Sequence, residues 1–430
     1  MKEFYYPTLD VRQFKTVLPN GLRVLVQPRK GFSRKIAYFV TDFGSIHTSF
    51  TMDGESMRVP DGVAHYLEHK LFDMPEGDVT EAFSALGAMP NAFTSNDMTA
   101  YFFTCTDHFE QCLELLLKFV STPYFTEESV AKEQGIIGQE ISMNLDNPYY
   151  MCYVKLMELM YRNHPVTVPV LGSEESIARI TPQILRDCHR AFYNPANMLL
   201  CVVGDVDPEA VAAMAERVLG NEPAPQVQRQ RQWDEEMTCP GEYREMVMQV
   251  ASKGFQMGFK CEPIPGGEDG FRAETVAALA LEALVGESSG LYLKLYEDGT
   301  IDSSFGASFD TMENLAMVTL GGDAEDPDRI RYEIIREAQR IAREGISQEE
   351  LQRLKRSAMG RRLRRLDSFD GVCYQLAVYH LLDYDYLRFP EVYEKITAEE
   401  LQEFLSRVFT YERCAISVVR PPQEGEDYES

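Results

Sequence analysis

Apolar and polar positions along the chain alternate with periods of two and of about 3.6 residues, which predicts a mixture of strands and helices. Residues 14–27 predict a hairpin whose turn is Pro19-Asn20-Gly21, and the alternating segment 35–43 predicts the next strand of the same sheet. Helical periodicity and capping residues then predict helices at 78–86, 109–120, 127–143, 148–161 and 181–192. A buried strand is predicted at 197–203, followed by a helix from Asp207-Pro208 to near Gly220.

The second half of the chain predicts a similar alternation of strands and helices. Strands are predicted at 244–259, 315–321 and 413–419, and helices at 273–284, 328–343 and 347–366. Between the halves, residues 222–238 contain Pro223, Pro225 and repeated Gln and Arg with almost no apolar periodicity, which is typical of a linker. We therefore predict an α+β fold with one domain at 1–221, a linker at 222–243 and a second domain at 244–430.

Length and charge narrow the class of protein. A chain of 430 residues is too long for one ordinary core, and 44% hydrophobic and 11% aromatic residues are ample for globular packing. The formal net charge of −26 argues against binding to nucleic acid or to an anionic membrane surface, both of which attract basic patches. Such a charge is compatible with basic peptides as substrates or partners.

Cysteine usage and the apolar runs predict a cellular location. The nine cysteines are scattered singly without a Cys-x-x-Cys pair, which fits a reducing compartment. The first residues lack the charged and then apolar layout of a signal peptide, and no apolar run approaches the length of a membrane span. The sequence therefore predicts a cytoplasmic protein without a membrane-spanning segment.

Two histidines and a glutamate stand out chemically. His65 and His69 are four positions apart, Glu68 directly precedes the second histidine, and apolar residues at helical spacing surround all three. On a helix these side chains share one face, from which two imidazoles can bind one zinc ion while the carboxylate acts on water. The order His-x-x-Glu-His is the inverted form of the zinc-peptidase motif. The alternative is a helix that carries two histidines without binding a metal.

Glu133 and Glu140 provide a candidate third ligand. They lie seven positions apart, nearly two helical turns, in a segment whose isoleucines and valine form an apolar stripe. Both carboxylates therefore point in the same direction. A pair of glutamates on an amphipathic helix is more often a solvated face, and the metal interpretation depends on the histidine motif upstream.

With these motifs the chain resembles the pitrilysin/insulinase zinc metallopeptidases, and most of all their half-length bacterial members and the mitochondrial-processing-peptidase-like subunits. The matching stretches are 62–72, 91–95, 99–101, 132–146 and 193–205. The resemblance implies that His65, His69 and Glu140 bind Zn²⁺, that Glu133 supports the site without binding the metal, and that Glu68 activates a zinc-bound water. It also implies two homologous αβ domains, each a mixed β-sheet packed with helices, that form one half of a clam-shell.

The resemblance assigns substrate binding to a segment that the pattern alone would leave as a loop. In the family, the stretch corresponding to Asn91, Ala92, Phe93 and Thr94 is an edge strand beside the zinc, which pairs with the substrate backbone.

A departure from the family pattern predicts a partner. Active relatives carry in the C-terminal half an arginine and a tyrosine that bind the peptide and stabilise the oxyanion. In this chain Tyr296 occupies the arginine position, and Asp302 or Ser303 occupies the tyrosine position. We therefore predict a heterodimer with a zinc-less homologous subunit, and a homodimer remains the alternative.

Six basic residues form a cluster inside this acidic protein, and two interpretations of it are open: a solvated helix face with intrahelical pairs to Glu349 and Glu350, or a contact with an acidic partner or a substrate carboxylate. The cluster consists of Lys355, Arg356, Arg361, Arg362, Arg364 and Arg365.

Taken together, the motifs predict a zinc-dependent endopeptidase that cleaves peptides or small unfolded polypeptides in an enclosed chamber. The alternative is a non-catalytic structural or peptide-binding subunit of the same fold, although such subunits usually lose zinc ligands. A purely structural zinc site is disfavoured, because it gives Glu68 no task.

Overall fold

The computed structural model describes residues 1–423 of the chain. Its strands are β1 Lys2–Tyr6, β2 Val11–Val17, β3 Arg23–Pro28, β4 Lys35–Thr41, β5 Ser49–Met52, β6 Glu55–Arg58, β7 Asp73–Met74, β8 Gly77–Asp78, β9 Met89–Thr94, β10 Thr99–Cys105, β11 Met198–Gly204, β12 Val227–Arg229, β13 Tyr243–Val247, β14 Gly254–Cys261, β15 Gly306–Met312, β16 Leu315–Asp323 and β17 Cys414–Arg420. Its α-helices are α1 Val63–Lys70, α2 Val79–Ala85, α3 Phe109–Ser121, α4 Glu127–Leu145, α5 Pro148–Met160, α6 Glu174–Ile177, α7 Pro182–Phe192, α8 Pro208–Leu219, α9 Gly267–Val285, α10 Gly290–Glu297, α11 Pro327–Glu344, α12 Gln348–Arg365, α13 Phe369–Leu381, α14 Phe389–Lys395 and α15 Ala398–Val408. Short 3₁₀ turns lie at Pro165–Thr167, Pro195–Asn197, Tyr386–Arg388 and Tyr411–Arg413.

The chain divides into two compact units that are not contiguous in sequence. The first unit consists of Met1–Ile141, Pro169–Gln230 and Arg362–Arg388, and the second of Ser142–Val168, Arg231–Arg361 and the residues from Phe389 onward. This division differs from the predicted contiguous domains 1–221 and 244–430. Helix α5 packs on β14 and β17 of the second unit, and α13 packs on β4 and β11 of the first. Periodicity identifies α5 but not the sheet that it covers, and it does not identify α13.

The first unit is built on a seven-stranded sheet with the order β1-β2-β3-β11-β4-β10-β9. The β3–β11 pair is parallel and the other pairs are antiparallel. The predicted hairpin is confirmed, because Val17 pairs with Arg23 across the β2–β3 ladder. Its turn needs a glycine at Gly21, where φ is 88° and an added Cβ would lie 2.8 Å from the Cβ of Ala196.

Strand β9 forms one edge of this sheet. The pattern alone predicted an extended loop here, whereas the family resemblance implied an edge strand, and the structure has the strand. Asn91 lies opposite Phe102 and Thr94 opposite Thr99 in an antiparallel ladder with β10. Every residue of β9 is at least partly accessible, so the segment lacks the clear alternation of a strand with one buried face.

Part of the predicted linker belongs to the first unit. Strand β12 pairs with β5, with Arg229 opposite Phe50. The Arg229 guanidinium binds the Asp42 carboxylate through two contacts, Nη1–Oδ1 at 2.9 Å and Nη2–Oδ2 at 2.6 Å. The linker prediction failed at 227–229 because the partners of this strand lie far away in the sequence.

The second unit is built on a five-stranded sheet with the order β13-β17-β14-β16-β15. The prediction of a single strand at 244–259 is wrong. The segment forms β13, which pairs with β17 in parallel, and β14, which lies between β17 and β16. Apolar residues alternate up to Val250 and again from Phe255, and the four residues between them were read as part of one strand. The sequence pattern also did not predict β15, α10, α13, α14 or α15.

Helix α9 is longer than predicted, spanning Gly267–Val285 rather than 273–284. Its residues from Thr275 to Val285 lie mostly in the core. No single helix in residues 1–423 is long and apolar enough to cross a membrane. The helices α9 and α10, which are bent relative to each other, reach the required length and apolar composition only when they are counted together.

Both units repeat one five-strand core. In the first unit the spatial order β3-β11-β4-β10-β9 has a parallel pair followed by antiparallel pairs, and in the second β13-β17-β14-β16-β15 has the same pattern. The order along the chain is also the same: two strands, helices, two strands, further helices and a closing strand. The predicted α+β fold with two repeated αβ units is confirmed.

Candidate metal centre

Helix α1 carries the histidine motif and begins at a position that only glycine can occupy. Gly62 precedes the helix with a φ of 87°, and an added Cβ there would lie 2.3 Å from the carbonyl oxygen of Leu171. Val63 and Leu67 are buried in the core of the first unit. This packing determines the rotation of the helix about its axis and therefore the face on which the polar side chains lie.

Helix α4 supplies the carboxylates. Its residues Val130, Ile137 and Ile141 are buried, while Glu133 and Glu140 are only partly buried. The two helices are joined by a hydrogen bond, in which the Tyr66 hydroxyl of α1 donates to the Val130 carbonyl of α4 at 2.5 Å. Glu133 and Glu140 lie on the side of α4 that faces α1, because each approaches a histidine of that helix.

Three side chains converge between these helices. The Nε2 atoms of His65 and His69 each lie 3.6 Å from Oε2 of Glu140. One ligand atom from each residue lies within 4.8 Å of the others, and no other cluster of this kind occurs in residues 1–423. Ligands at 2.0–2.1 Å from a tetrahedral zinc are separated by about 3.3 Å. The spacing and the two-nitrogen, one-oxygen donor set therefore fit zinc.

Glu133 contacts His69 rather than the converging atoms. Its Oε1 lies 3.0 Å from Nδ1 of His69. In the neutral ring this contact favours the proton on Nδ1, beside Glu133, so that Nε2 is the nitrogen available to a metal next to Glu140. The arrangement is the one expected of a carboxylate that orients a ligand histidine. His65 differs, because its buried Nδ1 has no hydrogen-bond partner among the described residues.

Electrostatics distinguish the two histidines. Burial and the neighbouring His69 lower the pKa of His65 to about 3. Burial also lowers the pKa of His69, but the hydrogen bond with Glu133 and the charges of the carboxylates around it outweigh burial, so this pKa is raised. His65 is therefore neutral near pH 7 and has the protonation state that a metal ligand requires.

Glu68 lies beside the cluster but is not part of it. Its carboxylate is mostly buried, and Oε2 accepts a hydrogen bond of 2.6 Å from the Thr94 hydroxyl. Burial raises the pKa of Glu68, while the Thr94 hydrogen bond and His69 partly oppose the increase. A buried carboxylate with a raised pKa is a stronger base than one in water, as general-base catalysis requires.

The predicted substrate-binding residues line the edge of the sheet. The Asn91 side chain accepts a hydrogen bond of 2.9 Å from the Ala92 backbone N–H. Phe93 points away from the side of Thr94 and Glu68, and its ring lies 5.9 Å from that of Tyr374 in α13. The structure thus places the backbone of all four predicted residues on an edge strand next to Glu68.

In the second unit, the positions that differ from the family pattern have local contacts. Tyr296 is half exposed on α10, and its ring lies 5.9 Å from that of Tyr292. Asp302 accepts a hydrogen bond of 2.8 Å from the Ser304 N–H, and Ser303 is exposed.

The basic cluster is not a uniform solvated face. Lys355 is buried and donates hydrogen bonds to the carbonyls of Glu394 and Ile396, at 3.3 Å and 2.5 Å. Arg361 pairs with Glu282 of α9, with Nη2 2.9 Å from Oε2. These two residues make structural contacts between elements rather than the intrahelical pairs proposed above, while Arg356, Arg364 and Arg365 are exposed.

Comparison with known proteins supplies the family. Residues 57–174, which contain the two histidines and the three glutamates, match the family described as insulinase (peptidase family M16). Residues 179–358 match the family described as peptidase M16 inactive domain. The chain is 38% identical over 427 residues to YmfH, an uncharacterized zinc protease of Bacillus subtilis, and the match covers 98% of this chain and 99% of YmfH. The chain belongs to the M16 peptidase family.

Further relatives of this M16 chain agree with the assignment. YmxG, another uncharacterized zinc protease of Bacillus subtilis, is 24% identical over 84% of this chain and 88% of its own length. An M16-like peptidase from Alicyclobacillus acidocaldarius has the same fold, with a TM-score of 0.91, 30% identity and coverage of 96% of this chain and 98% of that one. Pitrilysin shares the fold at 16% identity and a TM-score of 0.77, and this chain covers 47% of it.

Proposed function

We propose that this M16 chain is a zinc metalloendopeptidase that hydrolyses peptides or small unfolded polypeptides in an enclosed chamber. His65, His69 and Glu140 would hold the zinc, and Glu68 would act as the general base. The observation that carries this proposal is the convergence of three ligand atoms from α1 and α4 within 4.8 Å, with the Glu68 carboxylate beside them.

Each residue of the site has a separate role in the proposed hydrolysis. Zinc supplies Lewis acidity, which polarises a peptide carbonyl and acidifies water. Glu68 takes a proton from the attacking water and passes it to the amine that leaves. Glu133 keeps the His69 ring in one orientation through the 3.0 Å contact at Nδ1. A substrate backbone would pair with the open edge of β9, where the Asn91 side chain has to release the Ala92 N–H.

We further propose a cytoplasmic heterodimer with a zinc-less homologous subunit, with a homodimer as the alternative. Tyr296 and the pair Asp302 and Ser303 stand where active relatives carry the arginine and tyrosine that stabilise the oxyanion, so a second subunit would have to supply that function. All nine cysteines are free thiols, and all but Cys239 are buried, which supports a reducing compartment.

The test is hydrolysis of a quenched-peptide library by the wild type, by Glu68→Gln and by a control, Glu76→Gln, at an exposed position. Zinc content is measured for each protein. In the presence of the homologous partner subunit, we expect the wild type and the control to turn over substrate and Glu68→Gln to lose hydrolysis while it retains zinc. Turnover by Glu68→Gln at the wild-type rate would refute the mechanism.

A non-catalytic, peptide-binding subunit is the second candidate, favoured by the match of residues 179–358 to the inactive-domain family. That match does not include any of the five site residues, which lie within 57–174. The same experiment separates the two candidates. Peptide binding without turnover, alone and after the homologous partner is added, would establish the binding subunit. Turnover that requires the partner would establish the heterodimeric peptidase.

A further inference from the structure

We propose that Thr94 is a positioning residue for Glu68: its side-chain hydroxyl holds the general base in the orientation that peptide hydrolysis needs. This inference rests on the proposed function and extends it. The predicted role of Thr94 uses only its backbone, as part of the edge strand that pairs with substrate. The structure adds a role for the side chain, which points away from the free edge and toward α1.

The contact itself is short and has a charged acceptor. Thr94 Oγ1 donates to Glu68 Oε2 at 2.6 Å. Hydrogen bonds from a hydroxyl to a carboxylate have this length and are about twice as strong as those between neutral groups. Because Glu68 is mostly buried, few water molecules can replace the donor if it is lost. The hydroxyl therefore restricts the carboxylate to one orientation.

A neighbouring threonine determines where the Thr94 proton goes. Thr99 is fully buried, and its hydroxyl donates to the Phe43 carbonyl at 2.9 Å. The hydroxyl oxygens of Thr94 and Thr99 are 3.3 Å apart. Each hydroxyl has one proton, and that of Thr99 is used by Phe43. The Thr94 proton can then go to Thr99 or to Glu68, and the ionised carboxylate is the stronger acceptor.

The backbone fixes the donor in turn. Thr94 is the last residue of β9 and lies directly opposite Thr99 in the β9–β10 ladder. A tight turn follows, in which the Ser95 N–H donates to the Met98 carbonyl at 2.8 Å. Strand β9, which would align the substrate backbone, thus also holds the Glu68 carboxylate. The position of the base relative to the peptide bond is therefore set by one strand. Errors in such alignment of about 1 Å can cost about a hundredfold in rate.

The experiment compares Thr94→Val, Thr94→Ser and the control Thr104→Val with the wild type. Valine has the shape of threonine and suits a strand, but it lacks the hydroxyl, whereas serine retains it. Thr104 lies at the opposite end of β10, across from Met89, so Thr104→Val makes the same chemical change away from Glu68. For each protein, kcat, KM and zinc content are measured, and a crystal structure of the metal-free form is determined.

We expect Thr94→Val to lower kcat by about 10- to 100-fold, with KM within about twofold and zinc content unchanged. Thr94→Ser should recover most of the lost kcat, and Thr104→Val should match the wild type. In the metal-free crystal structures, the Glu68 carboxylate should move or occupy more than one rotamer in Thr94→Val alone.

Two results would overturn the inference. The first is a Thr94→Val protein with wild-type kcat and an unmoved Glu68. The second is an increase in KM at constant kcat, which would assign Thr94 to substrate binding only. If neither the wild type nor any variant hydrolyses peptides, alone or with the homologous partner subunit, the proposed function fails, and the crystal structures still decide whether Thr94 positions Glu68.

Discussion

The two units place different side chains at the same step of a shared topology. In the first unit, α1 is the first helix after the second core strand and α4 is the second helix after the fourth, and His65, His69 and Glu140 meet between them. In the second unit, α9 and α12 take these places in the chain order. There Glu282 and Arg361 form an ion pair with a distance of 2.9 Å.

This difference shows that the fold supplies a place where two helices meet, while the side chains decide what happens there. An ion pair satisfies both partners and leaves no ligand for a metal. Two imidazoles and a carboxylate, in contrast, direct three electron-pair donors toward one point, which suits a bound metal ion. Among the described residues, the buried Nδ1 of His65 has no hydrogen-bond partner, which is a cost that Glu282 and Arg361 do not carry at this step of the second unit.

The largest expected effect comes from Glu140→Gln, which exchanges a charged ligand for a neutral one. We expect zinc affinity to fall by roughly 10³-fold, about 4 kcal/mol, and hydrolysis to be lost with it. Titration with a zinc indicator measures the affinity. The matched control is Glu282→Gln in α9, because the partly exposed pair with Arg361 contributes at most about 1 kcal/mol to unfolding. If Glu282→Gln lowers zinc affinity as much as Glu140→Gln does, the proposed difference between the two units is wrong.

The second-largest expected effect is a loss of folding stability at low pH. Burial lowers the pKa of His189 and of His380 to about 4, and both lie in the first unit with His65. Burial also lowers the pKa of His164, which lies in the second unit. Because the unfolded chain binds these protons below pH 6.5 and the folded chain does not, stability is complete above pH 6.5 and is lost as the pH falls toward 4.

Because His189 is protonated in the unfolded chain and neutral in the folded chain, the free energy of unfolding should be about 2 kcal/mol lower at pH 5 than at pH 7 from this residue alone. In metal-free protein, hydrogen exchange should therefore show the first unit losing protection before the second as the pH is lowered. The variant His189→Gln, which retains a donor for the Val120 carbonyl, should reduce the pH dependence of urea unfolding by the same amount. Simultaneous loss of protection in both units would contradict this expectation.

The smallest effect is expected from Glu133→Gln, which keeps an acceptor near Nδ1 of His69 but removes its charge. Zinc affinity should fall by about tenfold, since such supporting carboxylates typically contribute this much. The measurement is the zinc titration used for Glu140→Gln. A loss as large as that of Glu140→Gln would mean that Glu133 itself binds the metal.

Much of the fold could be predicted because local signals were strong. The turn at Gly21 and the caps of helices α7 and α8 are encoded by neighbouring residues, and each element was predicted within a few positions. Strand β12 and the assignment of α5 and α13 to their sheets were missed. These features depend on partners far along the chain, such as Asp42 for Arg229, which periodicity does not reveal.

The candidate site shows the same division. The spacing of His65, Glu68 and His69 was sufficient to place three polar side chains on one helix face, because helical geometry alone dictates it. The approach of Glu140 to both histidines, the contact of Glu133 with His69 and the hydrogen bond from Thr94 to Glu68 come from the packing of α1 against α4 and β9. Packing joins residues that no local pattern connects, since their proximity depends on how the core between them is filled.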